Sequence, residues 1–168
     1  MSALSKMSEL TFYRRMAGVA AIIILICLGL NASADSPMAG DAGTTAENNK
    51  KVVLDFYQAG LVEKDFAKAS KYFGPTYIQH NPFTADGTSG FASLLEILKS
   101  KYPDLHVDIK QVFADGNFVI LHDLQKLHPS DRGTAVVDIF RLENGKIVER
   151  WDVAQEIPAE LANRNGMF

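Results

Sequence analysis

The dipeptide Asn144-Gly145 separates two runs, Ala135–Glu143 and Lys146–Gln155, that are rich in β-branched and aromatic residues. Both turn residues tolerate the positive φ that a tight reversal needs, so the pattern reads as a β-hairpin. Each arm carries one aspartate in an apolar setting, Asp138 among Val136, Val137, Ile139 and Phe140, and Asp152 beside Trp151 and Val153. A buried carboxylate is costly unless it is paired, hydrogen-bonded or used in chemistry. A one-residue change of register sends every side chain of a strand to the opposite face. How this turn closes therefore decides whether the two acids share a site.

Two closures are possible. A two-residue type I′ turn pairs Glu143 with Lys146, sets Asp138 opposite Trp151 and Asp152 opposite Val137, and so puts the two aspartates on opposite faces and rules out a shared site. A three-residue loop with Gly145 as a left-handed bulge pairs Leu142 with Lys146, sets Asp138 opposite Arg150, and brings both acids to one face. The second closure leaves Ala135, Val137, Ile139, Trp151 and Val153 as a continuous apolar surface on the other side. The burial pattern favours it.

The rest of the chain supplies an α+β domain. The N-terminus is read as a secretory signal peptide, residues 1–34: Arg14-Arg15, an apolar run from Met16 to Leu30, then Asn31-Ala32-Ser33-Ala34. An uncleaved anchor is the alternative, although the run falls short of the roughly 20 apolar residues that span a bilayer. Residues 35–48 are small and polar and read as a flexible linker, leaving 49–168 as the domain. Helical spacing covers Glu47–Ala59, with Val52, Val53, Phe56 and Tyr57 inward; Asp65 caps a short helix over Phe66–Phe73, and a third spans Phe91–Lys101. Strands follow at Leu105–Phe113, with Val107, Ile109 and Phe113 on one face, and at Phe118–Leu124, where the apolar run implies cover on both faces. Three helices followed by an antiparallel meander make an α+β fold.

Composition excludes several functions. A net charge of -3 gives no basic field for nucleic acid. The one cysteine, Cys27, lies in the export segment. Removing residues 1–34, whose Lys6, Glu9, Arg14 and Arg15 sum to +2, leaves a cysteine-free domain of net charge -5. Disulfides, thiol catalysis and Cys-based zinc sites are then absent. No His-x-His or Glu-x-x-His spacing suggests a metal, and neither a phosphate-binding glycine loop nor a G-x-S-x-G elbow is present.

Y-I-Q-H-N-P at Tyr77–Pro82, the following Asp86-Gly87, F-V-I-L-H at Phe118–His122 and the run Val136–Val153 resemble the SnoaL-like polyketide cyclase family, within the nuclear-transport-factor-2-like superfamily. The resemblance extends over about Asn49–Pro158. It implies a cone-shaped barrel in which three helices pack on a strongly curved antiparallel sheet, open at one end to a small hydrophobic ligand. It also implies cofactor-free, metal-free aldol chemistry with the acid/base aspartate at Asp152, after Trp151. Fourteen residues earlier those enzymes carry a histidine where this chain has Asp138, so either Asp138 is held protonated or the reaction differs.

The candidate site thus contains Asp152 as general base, Asp138 as its partner, His80 to polarise a carbonyl, and His122 within the apolar strand. Tyr77, Asn81, Arg150 and Trp151 are candidates for substrate binding. Each has a plain structural counterpart: an ion pair with Arg150 for the aspartates, a loop cap for His80, a satisfied core position for His122, packing for Trp151. The reading leans to an exported, periplasmic or secreted enzyme of aldol-cyclase or isomerase type acting on a hydrophobic carbonyl compound. An epoxide hydrolase built on Asp138, Arg150 and Asp152 is one alternative, and a non-catalytic binding module another. The apolar outer sheet face suggests a homodimer, and the export segment is the expected membrane contact.

Overall fold

The computed structural model describes residues 39–168. The expected export segment, residues 1–34, lies outside the described residues. Helix α1, Ala39–Tyr57, starts inside the stretch read as a linker. Ala39, Ala42 and Ala46 are strong helix formers, and Glu47 pairs with Lys50 one turn on at 3.5 Å. Its apolar stripe buries Val53, Phe56 and Tyr57 as the spacing predicts. The helix then widens into one π-helical turn, Gln58–Val62. Asp65 caps the short α2, Phe66–Ala69, by accepting from the Lys68 amide at 3.0 Å, and one 3-10 turn follows. Helix α3 spans Gly87–Lys101. No described helix is long and apolar enough to cross a membrane.

Five strands form one sheet: β1 (Phe73–Gln79), β2 (His106–Asp115), β3 (Phe118–Lys126), β4 (Thr134–Glu143) and β5 (Lys146–Glu156). Their order is β1-β5-β4-β3-β2. The sheet is mixed rather than wholly antiparallel, because β1 returns parallel to β5 at the edge, and it is not closed into a barrel. Helix α3 carries the chain from β1 at one edge of the sheet to β2 at the other. The helices cover one face and bury a core of Phe56, Phe73, Phe91, Leu95, Val119, Leu121, Phe140, Leu142 and Ile147. Phe56 is its centre, with ring centroids 5.1 Å from Phe73, 5.1 Å from Phe91 and 5.9 Å from Phe140. Aromatic pairs at these separations add to the stabilisation from burial alone.

Two bulges correct the expected register. In β2 the pairing slips between Ile109 and Gln111, so Val112 and Ala114 turn to the core and Phe113 is 56% exposed. An extra residue reverses parity beyond it, which strict alternation from Val107 to Phe113 did not allow for. The apolar run in β3 is likewise covered on one side only: Val119, Leu121 and Asp123 are buried, while Phe118 is 44% exposed.

The hairpin differs from its expected closure. Glu143 pairs with Lys146, so the turn has two residues, with Asn144 at φ 50° and Gly145 at φ 70°. That is the tight closure, whose right-handed twist matches the strands. The bulge lies one step further on: Leu142 pairs with Ile147 but Arg141 with Glu149, leaving Val148 as the extra residue. The added residue restores the parity that the tight turn would have reversed. Asp138 now sits directly opposite Asp152, Phe140 opposite Arg150, and both aspartates point to the helix-covered face. Leu142 does not pair with Lys146; the shared face comes from Val148 rather than from Gly145.

Candidate active site

The inward side chains of β3, β4 and β5 meet the C-terminal end of α1 in a buried polar cluster. Asp138 and Asp123 are fully buried. The Arg150 guanidinium lies between the hairpin acids. Its Nη2 is 2.5 Å from Oδ1 of Asp138 and 3.1 Å from Oδ2 of Asp152, and Nε donates to Oδ1 of Asp138 at 2.7 Å. A buried carboxylate is tolerable with such a charge-assisted partner. Arg150 also packs over the Phe140 ring at 6.0 Å.

Tyr57 completes the cluster from the last turn of α1. Its Oη lies 2.6 Å from Oδ2 of Asp138 and 2.5 Å from Oδ2 of Asp123, and Gln125 Nε2 donates to it at 3.0 Å. Asn49, two turns earlier and buried, donates to the Gly116 carbonyl at 2.9 Å and so pins α1 to the β2–β3 turn. Burial is the largest cause of shift at each acidic group here. It raises the Tyr57 hydroxyl far above its usual range, moves Asp123 up to about 6, and raises Asp138 against the opposing pull of Arg150. Among the described residues no buried side-chain polar atom lacks a partner.

Asn81 reaches the same cluster from the loop after β1. Its Oδ1 accepts from the Phe83 amide at 2.8 Å, which fixes the side-chain amide so that Nδ2 donates to Oδ2 of Asp152 at 2.6 Å. The loop is closed by Asp86, whose Oδ1 accepts from the Gln79 amide at 2.8 Å. Gly90 makes that closure possible, because a Cβ there would sit 1.8 Å from the Ala85 carbonyl oxygen. A cavity of about 610 Å³ opens beside Asp152. Leu61, Leu94, Leu98, Leu105, Leu127 and Val136 supply apolar wall, and Asn81, Gln125, Arg150 and Asp152 are polar points on it. Few polar groups in an apolar concavity is the ordinary makeup of a small-molecule site.

Asp152, Arg150 and Asn81 come together at this cavity, while Asp138 backs Arg150 from behind and does not line the wall. Tyr77 is buried behind it; its Oη accepts from Gln79 Nε2 at 2.9 Å, and burial raises its hydroxyl well above the usual range. His80 and Trp151 face the other side of the sheet, stacked at 4.7 Å, with His80 Nε2 2.9 Å from Glu149 Oε1. His122 also lies on that outer side, opposite Val137 and 5.0 Å from the Phe168 ring. Among the described residues no group of three or more His, Cys, Asp or Glu forms a metal cluster.

Sequence reasoning missed Tyr57 and Asp123. Tyr57 reads as one more apolar residue of an amphipathic stripe. Asp123 carried a usable signal: it has the parity of Val119 and Leu121, so it is a carboxylate on the core face of an apolar strand, as Asp138 is.

The profile of the family described as SnoaL-like polyketide cyclase matches residues 51–162. No curated protein matches the chain. Solved structures share the fold. TsrD from Streptomyces laurentii is 18% identical, with 64% of this chain and 88% of that one covered and a TM-score of 0.55. An NTF2-like protein of unknown function from Cytophaga hutchinsonii is 20% identical, covering 64% and 89% at a TM-score of 0.54. A candidate SnoaL-like cyclase from Jannaschia sp. CCS1 is 16% identical, covering 66% and 87% at 0.56. With a family profile matched from the end of α1 through β5, this chain belongs to the SnoaL-like polyketide cyclase family.

Proposed function

We propose that the protein is a cofactor-free acid/base enzyme of the aldol-cyclase or isomerase type, acting on a small, uncharged hydrophobic carbonyl compound with Asp152 as base. The observation that carries this is the position of Asp152 on the wall of an apolar cavity. Its two donors among the described residues, Asn81 and Arg150, both reach Oδ2. Oδ1 is left to take a proton from the carbon next to a carbonyl. The C–H electron pair then passes into an enolate, whose negative charge Arg150 and the Asn81 amide stabilise. In an aldol closure the enolate carbon forms a bond to a second carbonyl carbon, and the proton on Asp152 goes to the new alkoxide. One cation serving two carboxylates leaves nothing over for an anionic substrate, which is why the ligand is assigned as uncharged.

The test is proton exchange of 2-tetralone in heavy water, followed by NMR. The purified domain should accelerate exchange, and Asp152→Asn should remove the acceleration while the thermal unfolding midpoint stays within a few degrees. Exchange undiminished in Asp152→Asn sinks the reading.

An epoxide-opening hydrolase is favoured by one observation, the Arg150 bridge between two carboxylates. Against it, Asp138 does not line the cavity, where a second acid would have to meet substrate. Incorporation of heavy oxygen from labelled water into a diol product would support it. Export of the chain belongs to the same proposal, and a mature N-terminus at Asp35 in secreted material is its check.

A further inference from the structure

Tyr57 has one hydroxyl proton, yet its oxygen is within 2.6 Å of carboxyl oxygens from both Asp123 and Asp138. The phenol can donate to only one of them. If both acids were ionised, the other contact would set a lone pair against an anionic oxygen in a site sealed from water, with no proton between. Gln125 does not resolve this: its Nε2 donates to Tyr57 Oη at 3.0 Å and approaches the Asp123 oxygens at 3.3 and 3.5 Å, so its protons lie beside the short contact rather than within it. The short contacts require one more proton in the triad.

We propose that Asp123 carries that proton, donating to Tyr57 as Tyr57 donates to Asp138, and that it is a positioning residue setting the charge behind Asp152. The guanidinium decides which acid is neutral. Arg150 touches Asp138 twice and is itself always charged, so Asp138 is the ionised end of the chain. Asp123 has no cation among its partners; it faces Tyr57 from α1, Gln125 on its own strand, Val136 across the β3–β4 pairing and Ile109 across the β2–β3 pairing. Burial raises both carboxyls, Asp123 to about 6, so an apolar surround can keep one of them neutral as a donor, and the guanidinium on Asp138 leaves Asp123 as that one.

The consequence is a charge count. With Asp123 neutral, the group of Asp123, Asp138, Arg150 and Asp152 carries one net negative charge; with Asp123 ionised the same four carry two. The second charge acts on Asp138 and on the same Arg150 guanidinium, so less of that cation's field is left for an enolate and proton abstraction slows as Asp123 ionises. This consequence rests on Asp152 as the base; the extra proton does not.

Carboxyl carbon NMR on aspartate-labelled protein tests it. Wild type should show a buried carboxyl step at about pH 6 or higher. The step should vanish in Asp123→Asn, persist in Asp152→Asn, and move by about one unit or more in Tyr57→Phe, which keeps the ring and removes the bridge. In the 2-tetralone assay the wild-type rate should fall by about tenfold as pH rises through that step, the size of one unit of charge coupling, and the fall should be missing in Asp123→Asn. A wild-type spectrum without such a step, or an unaltered one in Asp123→Asn, overturns the proton assignment. A rate decline that persists in Asp123→Asn overturns the positioning role. Exchange that survives Asp152→Asn with the carboxyl step intact overturns the base and leaves the proton standing.

Discussion

At the scale of single residues, the site is governed by one cation. Arg150 compensates Asp138, which is fully buried, and touches Asp152, which meets the cavity. Arg150→Met keeps most of the volume and removes the charge, so it should destabilise the fold by about 3–5 kcal/mol, the cost of a buried charge without its partner. Adding Asp138→Asn should recover part of that loss, as urea unfolding of both variants would measure. Asp123 predicts a pH effect of definite sign. Its native pKa is raised from 3.8 to about 6, so its contribution to stability is full below pH 3.8 and is lost as pH rises through about 6. The stability of Asp123→Asn relative to wild type should therefore increase over that window. Asp65, Asp86 and Glu149 are lowered by hydrogen bonds and act in the opposite direction, so only the difference between the two proteins isolates Asp123.

At the scale of elements, the β4–β5 hairpin combines two devices whose effects on parity cancel. The type I′ turn at Asn144-Gly145 gives the tightest closure, and the bulge at Val148 adds the residue that returns Arg150 and Asp152 to the inner face. Gly145 has φ 70°, and a Cβ there meets nothing, so Gly145→Ala isolates the backbone cost. It should lower stability by about 1 kcal/mol, read as a shift in denaturant midpoint at unchanged slope. Both aspartates were legible as belonging together, because the outer face reads as continuous apolar surface in either account. The location of the extra residue was not legible. A bulge at Gly145 and a bulge at Val148 produce the same alternation over most of β5, and the chain pattern does not separate them. The same limit applies at Lys110, where a bulge turned Phe113 outward.

At the scale of the whole molecule, the helices cover one face of the sheet and leave the other open. Val153 is 71% exposed and Val137 36%, beside Ile139 and Trp151. An apolar sheet face of this kind suits a second copy of the chain. Val153→Asp should shift the protein toward monomer in analytical ultracentrifugation while leaving the unfolding curve of the monomer unchanged; a monomeric wild type excludes the dimer. The closed helical face is where the cavity lies, bounded by the π-helical turn at Leu61 and by α3 through Leu94 and Leu98.

Local pattern alone located the three helices, the four strands from β2 to β5, the hairpin and the anomaly of two carboxylates among apolar residues, because alternation, caps and turn residues are properties of neighbours in the chain. It did not separate β1, Phe73–Gln79, from the helix before it. The resemblance of Val136–Val153 to its family pointed to Asp152. Tertiary structure decided the rest. It put Asn81 on Asp152, 71 residues apart, and Tyr57 between Asp123 and Asp138, 66 and 81 residues away. It also sent His80 and His122 to the far side of the sheet. These are statements about which strands adjoin and where an extra residue falls in a ladder, and no local periodicity carries that information.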